Sequence, residues 1–340
     1  MGIEILNMDK EQLEQYIRSI GEPRFRAGQI LDWVYRKFAA SFDEMSNLPQ
    51  SLREKLAADC VIHPLSCEDS RVSRDGTIKY LLKLPDGHCI ETVRIEHPDR
   101  ITLCISTQVG CPVMCTFCAS GAEGLVRNLG ADEIVGQVML TARMHKKQTT
   151  NIVVMGTGEP LLNTENLIPA LYCLNDPDRA GIGARHMTVS TSGIVPGIYE
   201  LADVGRQWNL AVSIQSPTDE GRARYIPDPF RYPLDEIVEA CRYYTEKTSR
   251  MIFFEYVLIE GENDDRKSGE ALARLARKAG ARINVIPYNR TVGDYSGPGQ
   301  SALEDFNNLL NDRGVTATVR SSRGSDIMAA CGQLRARAGR

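Results

Sequence analysis

Three cysteines stand within one short segment, Cys111-Pro112-Val113-Met114-Cys115-Thr116-Phe117-Cys118. Thiolates are soft ligands, and four of them are the usual complement of an iron–sulfur cube. Three at this spacing leave one iron position open, and an open position marks a reactive rather than a structural metal site. Structural zinc, completed by His97, His145 or His186, is the competing chemistry, although these histidines lack the paired spacing of zinc modules. A second candidate is the glycine-rich turn Met155-Gly156-Thr157-Gly158-Glu159-Pro160. Taken alone it reads as a strand-to-helix turn, but glycine also lets backbone approach a ligand, and Glu159 can accept hydrogen bonds.

The other seven cysteines, Cys60, Cys67, Cys89, Cys104, Cys173, Cys241 and Cys331, are scattered. A scattered cysteine is ordinarily a small packing residue. Cys241 fits this, on a helical stripe with Leu234, Ile237, Val238 and Tyr244. The first residues, MGIEILNMDKEQ, are acidic and mixed and resemble neither a secretory signal nor a transit peptide. Ten cysteines without a secretory signal are expected to be reduced, which argues against a disulfide framework.

Elements must position these groups. The first sixty residues read as helices, one capped by Asp9 and carrying Leu13, Tyr16 and Ile17, another from about Arg24 with Ile30, Leu31, Val34 and Tyr35. Residues 78–106 change to short β-type runs, with Pro85-Asp86-Gly87 as a turn. Beyond residue 101, β runs at 152–155, 186–190, 210–214, 252–259, 282–286 and 315–320 alternate with helical patterns at 132–144, 235–244 and 268–279. Ser301-Ala302-Leu303-Glu304 reads as a capping box opening a final helix, and 289–300 as a mobile loop. Such alternation implies a parallel sheet with crossover helices, whose strand C-termini carry the active site. The cysteine cluster follows the first such strand directly.

Composition bounds the alternatives. The chain has 340 residues, 42% hydrophobic and 25% charged, with a net charge of -4, so a globular protein of two or three domains is expected. No apolar run reaches the roughly 18 residues of a membrane span. The charge gives no global basic footprint of a dedicated nucleic-acid binder.

The cysteine spacing, with aromatic Phe117 before the third cysteine, resembles the signature of radical S-adenosylmethionine (SAM) enzymes. Within that superfamily the chain resembles the RlmN/Cfr group of RNA adenine methyltransferases over nearly its whole length. The resemblance is carried by Gly21–Ala27, Ser41–Met45, Asp75–Tyr80, Ile90–Val93, Ser106–Cys111, Ser190–Gly193 and Ala329-Ala330-Cys331-Gly332-Gln333-Leu334. It implies an α/β fold: a partial (β/α)6 TIM-type radical SAM barrel at 101–325, a helical accessory, RNA-binding domain at 1–65 and a β-hairpin linker at 66–100. A C-terminal segment at 326–340 would carry the methyl-accepting cysteine.

The resemblance also implies roles. Cys111, Cys115 and Cys118 would hold one 4Fe–4S cluster, and Gly158, Glu159, Ser190, Ser213, Gln215 and Asn289 would hold SAM, two molecules being used per turnover. One SAM methylates Cys331. The other yields a 5′-deoxyadenosyl radical that takes hydrogen from the S-methyl group, whose carbon adds to adenine. Cys104 would release the product through a transient Cys104–Cys331 disulfide, and Glu91 would take the ring proton. The family usually has His where this chain has Gln215, which can donate and accept but never becomes cationic.

The implied target is C2 of an adenine in 23S rRNA, together with the adenine beside the tRNA anticodon. The implied enzyme is a cytoplasmic monomer drawing electrons from a donor such as flavodoxin. Arg231-Tyr232-Pro233-Leu234-Asp235 resembles Cfr-type enzymes, which methylate C8, whereas the accessory domain and Met155–Pro160 lean to C2. Alternatives are a radical SAM enzyme acting elsewhere than on RNA, or an RNA-binding module with a structural metal. Arg143, Lys146, Lys147, Arg320, Arg323, Arg335 and Arg337 are the basic groups expected to meet RNA phosphates.

Overall fold

A computed structural model describes residues 2–62, 64–291 and 295–335. Its N-terminal part is helical, with helices Lys10–Ser19, Arg26–Tyr35 and Gln50–Asp59. Asp9 caps the first of these in a reciprocal box: its carboxylate accepts from Gln12 N at 2.8 Å, and Asp9 N donates to the Gln12 side chain at 2.9 Å. Leu13, Ile17, Ile30, Leu31 and Val34 are buried, and they belong to one hydrophobic core continuous with that of the large domain.

That domain is built on a ten-stranded sheet. Seven strands run parallel in chain order: Ile101–Cys104, Asn151–Val154, Met187–Thr191, Asn209–Ser213, Ile252–Leu258, Arg282–Pro287 and Ala317–Val319. Helices Ala131–His145, Thr164–Asn175, Val195–Asp203, Leu234–Thr248, Arg266–Ala279 and Gln300–Asp312 connect them. The two outer edges do not pair with each other, so the barrel is partial. The strands bury Ile152, Val154, Val189, Leu210, Val212 and Phe254 against helical stripes such as Ile237, Val238, Cys241 and Tyr244. No described helix is long and apolar enough to cross a membrane.

Three expectations need correction. The region 66–100 is a three-stranded antiparallel meander, Ser66–Val72, Ile78–Lys83 and Cys89–Glu96, that extends the same sheet. Its outer strand is mostly exposed and polar, so it lacked the hydrophobic signal of a strand. Ser301 does not cap the last helix. Extended Gly299 takes the N-cap position, and the Ser301 hydroxyl lies one step inside, bonded to Asp305 at 3.4 Å. The 289–300 loop is anchored in its described parts, residues 292–294 lying outside them. Tyr295 packs edge-on against Tyr288, and Ser296 O accepts from Glu260 N at 3.0 Å.

Candidate active site at the strand C-termini

The cysteine loop leaves the first parallel strand and is closed at its base by a short antiparallel pair, Gln108–Gly110 and Leu125–Asn128. Gly110 makes that closure possible. Its φ is +77°, and a Cβ there would sit 1.9 Å from Gly124 O. Inside the loop, Val113 and Phe117 are buried, and Phe117 meets Tyr225 edge-to-face.

A cavity of about 160 Å³ opens above the strand ends. Cys111, Cys115, Cys118, Gly158, Glu159, Ser190, Ser213, Gln215, Asn289 and Cys331 all line it. Residues from five strand ends and the far C-terminal segment thus meet on one wall. Burial pushes the Cys111 thiol up to about 12 and the Cys115 thiol well above the ordinary range, the neighbouring cysteines adding to the effect. Among the described residues no three His, Cys, Asp or Glu side chains converge to chelate a single ion. Three cysteines on separate irons of a cube need not converge that tightly. None of the three histidines considered for zinc lines this cavity. His145 meets Tyr80, His186 meets Asn151, and His97 lines a neighbouring cavity.

Glu159, at the end of the 155–160 turn, is a charged group of this wall. It is 3% exposed and accepts from Ser192 N at 2.7 Å and Leu161 N at 3.1 Å, with no cationic partner among the described residues. Burial raises its carboxyl above the ordinary range, against the pull of those two N–H groups. A buried carboxylate without a cation is a fitting receptor for an ammonium group. Nearby, Gln215 Oε1 is buried without a partner, which suits a polar ligand. Gln215 adopts a left-handed backbone, φ +59°, and its carbonyl accepts from Asn263 at 3.0 Å.

The glycines of the 155–160 turn serve close packing first. A Cβ on Gly158, φ +116°, would lie 2.8 Å from Thr107 Oγ1, and one on Gly156 would lie 2.6 Å from Ser106 Oγ. They let the turn seat directly on the start of the cysteine loop. A buried polar network completes the seat. Ser106 Oγ accepts from Thr157 N at 2.9 Å and donates to Glu91 O at 2.7 Å, while Gln108 accepts from Glu159 N at 2.8 Å. Gln137, from the first connecting helix, bonds both Ser106 N and Ser106 O. Arg222, fully buried, bonds the carbonyls of Ser192, Ser213 and Ile214, and its burial lowers the guanidinium to about 10. Gln137 and Arg222 carry no motif of their own, and Ser106 and Gln108 stood out only within the family stretch.

Cys104 lines an adjoining cavity, whose wall shares Met155, Ile286, Asn289, Arg320 and Cys331 with the first. Cys331 is accessible through these cavities, and its carbonyl accepts weakly from Asn289 at 3.4 Å. All ten cysteines are free thiols, so the Cys104–Cys331 disulfide is not formed in this structure. Glu91 lines neither of these two cavities. It lines a third cavity, bonded to Lys79 at 2.8 Å and to Arg335 N at 2.5 Å. Of the basic groups expected on the surface, Lys147 pairs with Glu96, Arg335 with Glu123 and Arg323 with Asp75. Arg320 turns into the cavity wall, and Arg337 lies outside the described residues.

Comparison with known proteins agrees with this geometry. Residues 3–62 match the ribosomal RNA large subunit methyltransferase N-terminal domain, and residues 105–268 match the radical SAM superfamily. The chain is 45% identical to a probable dual-specificity RNA methyltransferase RlmN of Lysinibacillus sphaericus, covering 98% of this chain and 88% of that one. It is 44% identical to the protein of the same name in Clostridioides difficile, covering 98% and 97%. A crystal structure of a radical SAM methyltransferase from Sphaerobacter thermophilus superposes with a TM-score of 0.94 at 44% identity, covering 98% of this chain and all of that one. The chain belongs to the RlmN family of radical SAM methyltransferases.

Proposed function

We propose that this chain methylates C2 of an adenine in RNA, with 23S rRNA and tRNA as substrates, through a methyl group carried on Cys331. What supports the reading is that Cys331, over two hundred residues from the cysteine loop, lines the same cavity as Cys111, Cys115, Cys118 and Glu159. C2 of adenine has no nucleophilic lone pair, so direct polar transfer of a sulfonium methyl is unfavourable, and a protein thiolate is the better first acceptor.

In this reading Cys111, Cys115 and Cys118 are the three ligands of one 4Fe–4S cluster, and Gly158, Glu159, Ser190, Ser213, Gln215 and Asn289 hold SAM. Glu159 receives the amino group, for which its buried carboxylate lacks any protein cation. The cluster and SAM supply the one-electron chemistry that removes hydrogen from an S-methyl group. Cys331 holds that methyl beside the SAM-side wall, and Cys104, in the adjoining cavity, attacks the Cys331 sulfur to release the product as a disulfide, which an external thiol reductant then opens. Glu91 takes the ring proton once Arg335 N–H leaves its carboxylate. Gln215 contacts SAM as a neutral amide, so no imidazole ionisation enters. Two SAM are consumed per turnover, and a flavodoxin-like donor supplies electrons to a cytoplasmic, monomeric enzyme.

Anaerobic reconstitution with iron, sulfide, SAM, reductant and an rRNA fragment, followed by mass spectrometry of the nucleosides, tests this. C2-methyladenine is expected. C8-methyladenine would replace the target assignment, and SAM cleavage without any modified RNA would overturn the RNA reading.

A further inference from the structure

Arg320 follows the last parallel strand, and its backbone N–H is tied to Val285 O at 2.8 Å. Its side chain stands on the wall common to both cavities, with Cys331 on each and Cys104 on the second. It is braced from behind. Nη1 lies 3.6 Å from Glu255 Oε1 and donates to Met155 Sδ at 3.3 Å. Glu255, 4% exposed, is itself held by Asn284 Nδ2 at 2.9 Å, and Asn284 Oδ1 accepts from Thr318 at 2.9 Å. Met155 ties the cluster together, because it lines both cavities, beside Cys331 in each and Cys104 in the second.

We propose that Arg320 is a positioning residue for both thiols, its guanidinium being the shared countercharge that Cys331 and Cys104 meet, each in turn, as thiolates. The proposal rests on the roles given to the two cysteines above. When Cys331 accepts a methyl, its S–H proton leaves to water, its sulfur forms a bond to the methyl carbon, and the methyl–sulfonium bond breaks with its electron pair staying on the departing thioether. When Cys104 resolves the adduct, it too loses a proton. A sulfur–sulfur bond forms, the bond from Cys331 sulfur to the RNA-bound carbon breaks, and that electron pair leaves with the carbon and takes up a proton. In both steps the attacking sulfur is an anion in an enclosed site.

Arg320 acts on both sulfurs and Glu255 on Cys331, each thiol disfavours ionisation of the other, and Cys118 adds to this at Cys331; His97, Arg100 and Arg323 line the same second cavity. Burial pushes Cys104 up to about 12 and raises Cys331 as well, and Arg320 is the one cation among the named influences that opposes this at both. Burial thus disfavours the thiolate of Cys104, and also that of the more accessible Cys331. The sulfonium of SAM adds a second positive charge beside Cys331, so that thiolate is favoured only when its reaction partner is present.

The test reads each sulfur directly on the isolated protein. Iodoacetamide alkylation is followed from pH 7 to 10, peptide by peptide, by mass spectrometry, with Cys67 as internal reference. Arg320→Met is expected to slow alkylation of both Cys331 and Cys104 about tenfold at pH 8, one unit of lost charge stabilisation, leaving Cys67 unchanged, and Arg320→Lys restores most of the rate. Glu255→Gln moves the opposite way, speeding Cys331, and keeps the question answerable if Arg320→Met does not fold. Unchanged alkylation of either sulfur in Arg320→Met, or slowing in Glu255→Gln, would overturn the proposal. Because no RNA is present, failure here leaves the methyltransferase reading standing, and failure to find methylated RNA in the wild type leaves this charge pairing standing.

Discussion

The two halves of the candidate site are held in different ways. The SAM-side wall is built on strand ends and locked by buried polar groups: Ser106, Gln108, Gln137 and Arg222 each bond backbone across two elements. The C-terminal segment that brings Cys331 is instead laid over the surface as a strap. Asp326 accepts from Ser73 Oγ at 2.6 Å, Lys79 bonds Met328 O at 2.9 Å, Gly332 O accepts from Ala119 N at 2.8 Å, and Ser120 Oγ bonds Leu334 O at 2.7 Å. Its backbone enters the left-handed region at Gly324, Met328 and Gly332. Its own apolar contribution is small, with Ala329 and Leu334 packed on Val93. A wall fixed at the strand ends facing a strap suits the two-step role proposed for Cys331, which lines both cavities.

The largest break in this comparison is expected on the fixed side. Gly158→Ala places a Cβ within 2.8 Å of Thr107 and Gln108 at a φ of +116°, a strain of about 1–3 kcal/mol before the clash is counted. Calorimetric titration should show SAM binding lost, with a lowered melting midpoint. Normal affinity would mean that the turn is not the SAM-side wall.

A second effect concerns Glu159. Its carboxyl is raised by burial, so the proton stays on above the ordinary carboxylate range. A ligand ammonium favours the ionised form, and binding then releases that proton. SAM affinity should therefore rise with pH through this range and level off above it, while 5′-methylthioadenosine, lacking the amino group, should bind with no such slope. Equal slopes for the two ligands would remove Glu159 from the amino-group site.

The smallest effect lies on the strap. Ser73→Ala deletes one hydrogen bond to Asp326, worth about 1 kcal/mol. Amide exchange in residues 324–331 should quicken about fivefold, while the parallel strands stay unchanged. Exchange that spreads into the barrel would show the strap to be integral to the core.

Local chemistry was legible in the sequence. The cysteine spacing, the Gly156–Glu159 turn and the alternation of strand and helix are all short-range patterns, and the cavity they line follows from parallel topology. What the sequence hid was long-range. Arg320 read as one of several cations for RNA phosphates, and only the fold shows it on one cavity wall with Cys104 and Cys331 and paired with Glu255. Gln137 sits in a helical stretch that offered no reason to single it out, yet it joins helix to loop. Glu91 carried a family role, but its place in a third cavity depends on residues more than two hundred positions away. The polar outer strand and the anchored 289–300 loop were missed because their order comes from neighbours rather than from composition.

The central claim is that the methyl group reaches RNA through Cys331 and leaves it by the attack of Cys104. The most direct measurement is anaerobic turnover of Cys104→Ala with SAM and the rRNA fragment, followed by denaturing electrophoresis and mass spectrometry of the linked peptide. The account predicts RNA accumulating in covalent linkage to the Cys331 peptide. Free methylated RNA released by this variant, with no linked species, would contradict it.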